Sequence, residues 1–133
     1  MLQPGLATAP QPDADEIGAT ALTAFFNITA RWKLAAEEER ILLGAPPRST
    51  FFKWKSERAA RLSPDTLERI SYVMGIYKAL RILLPTEEAA NEWVKKPNKA
   101  AGFAGKSALA RMLQGRVVDL ADVRRYLDAE RGW

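Results

Sequence analysis

Apolar residues recur along most of this chain at steps of three and four, the period of helices with one buried face. From Glu16 onward, Ile17, Ala21, Leu22, Phe25, Phe26 and Ile28 share one wide arc, which predicts a first amphipathic helix. A second, short helix is predicted over 34–43. Glu37, Glu38 and Glu39 occupy its first turns, where carboxylates meet the positive end of the helix dipole and read as a solvated run. Ile41, Leu42 and Leu43 make its apolar end, Gly44 is placed as its C-terminal cap, and Pro46 and Pro47 forbid continuation. Ser49 reads as the N-cap of a third helix running through Phe51, Phe52 and Trp54 to about Ala60.

Ser63-Pro64-Asp65 then supplies a cap and a first-turn proline for a long helix reaching Leu84. Leu67, Ile70, Met74, Tyr77 and Leu84 line one stripe of it, and Val73, Ile76, Leu80 and Leu83 line its neighbour. An apolar arc that wide is buried on more than one side, so this helix is expected to be a central strut. Pro85 stops it and Thr86 caps a helix over 87–95. A loop with two glycines follows over 97–105, then a short helix from Ser107 to Gln114 ended by Gly115, and a last one from Asp119 to about Glu130. Ala121, Val123, Tyr126 and Leu127 form its inner face. No segment alternates in the manner of a strand. The expected fold is all-α: a compact multi-helix protein with an N-terminal helix-turn-helix-type module and a C-terminal helical domain sharing the long central helix.

Residues 1–15 hold three prolines and no periodicity, which predicts a flexible tail before modules at 16–73 and 74–133. The chain has 133 residues, 47% of them hydrophobic and 27% charged, enough apolar material for a core and too little charge for wholesale disorder. It lacks cysteine and histidine, which removes thiolate nucleophiles, disulfides, imidazole metal ligands and the usual general base near neutral pH. No glycine-rich phosphate loop, nucleophile elbow or carboxylate cluster is present, so no catalytic residue, metal or cofactor is expected and the chain reads as a non-enzyme. Neither a leader-like start nor an uninterrupted apolar run of membrane-spanning length occurs, and the expected compartment is the cytoplasm.

Net charge is +4, and the basic excess concentrates in residues 32–85. There, a short helix, a Gly-Ala-Pro-Pro break and a second short helix reproduce the layout of a helix-turn-helix. The second helix carries Arg48, Lys53, Lys55, Arg58 and Arg61 against the single acid Glu57, with Ser49 and Thr50 at its start. Arg48, Ser49, Thr50, Lys53, Lys55 and Arg58 are the candidate DNA contacts, the cations for phosphates and the hydroxyls for a phosphate or base edge. The plainer reading is a bundle helix with a solvated basic face. Trp54 fits the core better than a base contact. Phe51 and Phe52 cannot both face inward, so one is left for the surface. Leu109, Met112, Leu113, Val123 and Leu127 are explained by bundle packing, whereas Arg131-Gly132-Trp133 puts a large aromatic, a favoured interface anchor, at a chain end. A partner's pocket and the chain's own domain are both open to it.

Taken in order, Trp32–Gly44 (WKLAAEEERILLG), Trp54-Lys55, Leu62–Ile70 (LSPDTLERI), Ile76–Arg81 (IYKALR), Trp93 with Lys96-Pro97-Asn98, Met112–Gly115 (MLQG) and Val123–Leu127 (VRRYL) resemble the Xre/MbcA/ParS antitoxins over about residues 18–133. The resemblance implies an antitoxin of a type II toxin–antitoxin pair whose C-terminal domain, from about Met74, binds a RES-domain toxin of the NAD-depleting kind. It implies a toxin-facing set of Trp93, Asn98, Arg125, Arg131, Gly132 and Trp133, with the tail blocking the toxin's active site. It also implies an Xre-like or homeodomain-like N-terminal module on the operator DNA of its own operon, a homodimer, and larger assemblies with toxin. The alternative is a plain helix-turn-helix repressor whose C-terminal half only dimerises. A small-molecule-binding or enzymatic helical domain would require a polar pocket that the sequence does not advertise.

Overall fold

A computed structural model of the protein describes residues 13–132. The first helix, α1 (Ala14–Arg31), starts two residues ahead of the periodic signal, because the Asp13 carboxylate accepts the Glu16 backbone N–H at 2.7 Å and caps it. Ala14 and Asp15, expected in the tail, are therefore helical, and residues 1–12 of that tail lie outside the described residues. Leu22, Phe25, Phe26 and Ile28 of α1 are buried as expected, while Ile17 at its open end is 42% exposed.

The second helix is α2 (Ala36–Leu42), and Gly44, at φ 97°, carries the chain away from it. The third, α3 (Arg48–Glu57), follows directly on Pro47, so Ser49 lies inside its first turn and does not cap it. It stops at Arg58, which adopts a left-handed φ of 50°, short of the expected Ala60. Behind it, the carbonyl of Ala60 lies against Gly18 of α1 so closely that a Cβ there would overlap it. Glycine is required at that position for α1 and the segment before the next helix to meet.

The central helix, α4 (Pro64–Leu83), is capped by Ser63, whose hydroxyl accepts the Thr66 N–H at 3.1 Å. It packs against α1 and against the last helix, α7 (Val117–Glu130). Ile70, Val73, Ile76, Ala79 and Leu80 are buried between them, whereas Met74 and Ile82 remain 43% and 56% exposed. Met74, expected in a buried stripe, faces solvent because the strut is covered from two sides and not all round.

After α4 come α5 (Glu87–Glu92), a 3-10 turn at Trp93–Lys95 and α6 (Ala108–Met112), capped by Ser107. Among the described residues β pairing is limited to one isolated bridge between Pro97 and Ser107, which ties off the intervening loop. The last helix begins two residues before Asp119, the expected starting residue, because Asp119 reaches back to accept the Arg116 backbone N–H at 3.1 Å. No helix among the described residues is long and apolar enough to cross a membrane.

Candidate functional site

The α2–turn–α3 unit is held together by an internal charge. Glu39, expected on a solvated face, is 3% exposed; the Thr29 hydroxyl of α1 donates to its Oε2 at 2.5 Å and the Lys55 ammonium of α3 donates to its Oε1 at 2.6 Å. One carboxylate thus collects a donor from each neighbouring helix, which is what a buried charge requires. The Lys55 ammonium also lies 5.8 and 6.0 Å from the Phe26 and Phe51 ring centroids, and the Arg58 guanidinium 5.3 Å from that of Phe26.

The six candidate DNA contacts therefore divide. Arg48, Ser49 and Lys53 are exposed on the outward arc of α3, with Arg48 3.7 Å from Glu37. Thr50 is half-buried at its edge. Lys55 and Arg58 turn toward the core, Lys55 onto the Glu39 carboxylate and both over the aromatic cluster. A signal for this was present in the spacing: Lys55 stands four residues after Phe51 and so shares its face. Phe51 is 1% exposed and Phe52 53%, which settles which of the pair faces out, and Trp54 packs at the core's edge.

In the C-terminal half, Trp93 belongs to an aromatic triad. Its ring stacks on Tyr126 at 6.3 Å and 17°, and Phe103 meets both edge-on. Beside the triad a cavity of about 200 Å³ is lined by Leu80, Leu83, Leu84, Trp93, Tyr126 and Glu130, an apolar groove along the C-terminal turns of α4 and α7. Asn98 sits apart from it and organises the loop: its N–H donates to the Lys106 carbonyl, its carbonyl accepts from Gly105, and its side chain accepts from the Ala100 N–H at 2.8 Å. Arg125 is exposed on α7 and paired with Asp122 at 2.8 Å.

The Arg131 side chain is 8% exposed and 3.7 Å from Asp128, so it closes the end of α7 instead of projecting. Gly132 follows at φ 82°, its N–H on the Ala129 carbonyl, and Trp133 lies outside the described residues. Of the expected toxin-facing set, Trp93 lines this groove, which Glu130 at the end of α7 borders, while Asn98, Arg125 and Arg131 do not line it.

Sequence reasoning missed a second buried carboxylate, Asp119, which is 0% exposed and joins α6 to α7 through Arg111 and Arg116 at 3.0 Å each. Burial opposes its ionisation, but hydrogen bonds from Arg116 and Arg111 outweigh that and hold its carboxyl below the usual aspartate value. The two halves meet through polar contacts as well: Lys95 donates to the Lys33 carbonyl at 2.7 Å, and Arg31 to the Tyr77 hydroxyl at 2.8 Å.

Residues 11–75 match the model of an antitoxin Xre-like helix-turn-helix domain, and residues 79–132 that of the antitoxin Xre/MbcA/ParS C-terminal toxin-binding domain. The chain is also 50% identical over 132 residues, 99% of each protein, to a Sinorhizobium fredii protein described as uncharacterized protein y4oB.

Proposed function

The chain belongs to the Xre/MbcA/ParS antitoxin family, and from that premise we propose that it neutralises a RES-domain, NAD-depleting toxin and represses its own operon. The observation that carries the reading is the toxin-binding-domain match over 79–132, which spans the aromatic triad, the apolar groove beside it and the end of α7. The toxin is held on this half through Trp93 and the groove, with Arg125 on the flank, and the chain end that follows Arg131 blocks the toxin's active site. Asn98 acts at one remove, by fixing the loop after Trp93. Repression falls to the outward arc of α3, where Arg48, Ser49 and Lys53 meet operator DNA and Thr50 lies at the edge. A homodimer presents two such helices to a two-fold operator.

With modules at 16–73 and 74–133, the division would lie within α4 (Pro64–Leu83), one continuous helix serving both. A rigid scaffold behind a binding surface reduces the ordering cost of association. The test is growth of cells induced for a RES-domain gene adjacent to this one, with and without this chain. Arrest relieved by the chain supports neutralisation; arrest that the chain does not relieve, or a harmless neighbour, overturns it. Binding of the chain to DNA upstream of its own gene tests repression separately.

A further inference from the structure

Helical geometry divides α3 cleanly. At about 100° per residue, Phe51, Trp54, Lys55 and Arg58 fall on one side, and all four contact the core or its buried carboxylate. Ser49, Phe52, Lys53, Ser56 and Glu57 fall on the other, Arg48 lies at the boundary beside Lys55, and all six are exposed. Within that outward arc Phe52 is the one apolar side chain. It sits halfway along the helix, toward the Arg48 edge of that arc, with the small hydroxyls of Ser49 and Ser56 one turn to either side and Lys53 next in sequence.

A single exposed aromatic is unremarkable by itself. This one is held. Its ring meets Phe51 edge-on at 5.0 Å and 72°, and Phe51 in turn meets Phe26 edge-on at 5.9 Å within the core. An outward ring braced on the hydrophobic core loses little freedom on binding. Two exposed cations, Arg48 and Lys53, stand on α3 with the single acid Glu57, and the two flanking serines leave room for close approach. The apolar group a duplex offers in its major groove is the C5-methyl of thymine, and phenylalanine is among the side chains that contact it.

We propose that Phe52 reads a thymine methyl in the major groove and so sets sequence preference, while Lys53 and Arg48 supply affinity without sequence. This rests on the operator-binding reading above. The experiment measures binding of the purified full chain to duplex DNA from upstream of its own gene, across a salt series. A matching duplex carries deoxyuridine for thymine, which removes only the methyl groups. The wild-type protein is expected to bind the uracil duplex about ten-fold more weakly. Phe52→Ala is expected to lose about as much on the thymine duplex, to be indifferent to the uracil replacement, and to keep the wild-type salt slope. Phe52→Leu, which retains apolar contact, is expected to fall between them.

Equal thymine-to-uracil penalties for wild type and Phe52→Ala overturn the proposal, as does a wild-type protein that binds both duplexes alike. Both outcomes leave operator binding standing. Failure of the wild-type protein to prefer its upstream DNA over an unrelated duplex removes the underlying reading and the proposal with it. Helicity and melting of Phe52→Ala report whether the variant is folded, which an exposed site leads one to expect.

Discussion

Lys55 and Glu39 form a 2.6 Å charge pair, buried on the carboxylate side and half-open on the ammonium side, that fastens the third helix to the second. The pair sets the angle at which α3 presents its outward arc. It also gives two lysines two residues apart on one short helix different duties, one toward solvent and one toward the core.

Removing the ammonium should leave Glu39 buried with only Thr29 to satisfy it. Lys55→Met is expected to cost about 1–3 kcal/mol, below the figure for a fully buried pair because the Lys55 side chain is 40% exposed. Thermal melts of Lys55→Met, and of Lys55→Met with Glu39→Leu, provide the check. The double variant should recover most of the loss, and a single variant as stable as wild type would mean that the pair holds nothing.

The same division predicts different salt behaviour on operator DNA. Lys53→Gln should lower the slope of log K against log salt by about one, the signature of one lost phosphate contact. Lys55→Met should leave the slope unchanged even where affinity falls. An equal reduction of slope in both variants would place the Lys55 ammonium on the DNA, and no reduction in Lys53→Gln would take Lys53 off it.

Two glycines in tight places should respond to alanine to different degrees. At Gly18 a Cβ would overlap the Ala60 backbone carbonyl, which cannot move without shifting the chain, so Gly18→Ala should destabilise by about 2 kcal/mol or more. At Gly75 a Cβ would meet the guanidinium of Arg124, the far end of a flexible side chain paired with Asp128 at 3.1 Å. There the helix-propensity gain of about 1 kcal/mol offsets the displaced arginine, and Gly75→Ala should fall within about 1 kcal/mol of wild type. Melting temperatures of the two variants decide it.

Asp119 should make the C-terminal half acid-sensitive. Its folded carboxyl titrates below the ordinary 3.8, so the unfolded chain binds the proton first as pH falls. Its contribution is complete well above 3.8, shrinks as pH drops through that value, and is gone below the lower folded value. Asp119→Asn should therefore lower stability at pH 7 and flatten the decline between about pH 5 and 3. Urea melts at both ends of that range measure the difference.

For neutralisation, deletion of residues 131–133 should abolish growth rescue with helix content changed by less than one turn, since Arg131 and Gly132 follow the last residue of α7. Full rescue by the truncated chain would move toxin blockade away from the tail.

Much of the architecture was legible because it depends on local rules. Ser63-Pro64, Thr86, Ser107 and Gly44 mark helix ends by their own backbone and side-chain chemistry, and the structure uses each as expected. The errors arose where a distant atom decided. Ser49 is the exception, losing its capping role locally because the helix already follows Pro47, two residues earlier; Asp119 moved into the helix because its carboxylate has two arginines to gather. Family resemblance reached furthest, since order and spacing survive in sequence without any contact being known.

By itself, then, the chain's periodicity and capping residues predicted a succession of helices, a long central one and a helix-turn-helix layout, and the order of its motifs carried the resemblance to an antitoxin family. Only the tertiary structure decided which charges face water. Helical period places Lys53 and Lys55 on different faces, but which face meets the core depends on α1 lying alongside with Phe26 and Thr29. Likewise Glu39 is one of three consecutive glutamates, and it is singled out only by the donors that long-range packing brings to it. Local sequence sets backbone conformation within a few residues, whereas burial of a charge depends on groups ten and sixteen residues away that meet only when the helices pack.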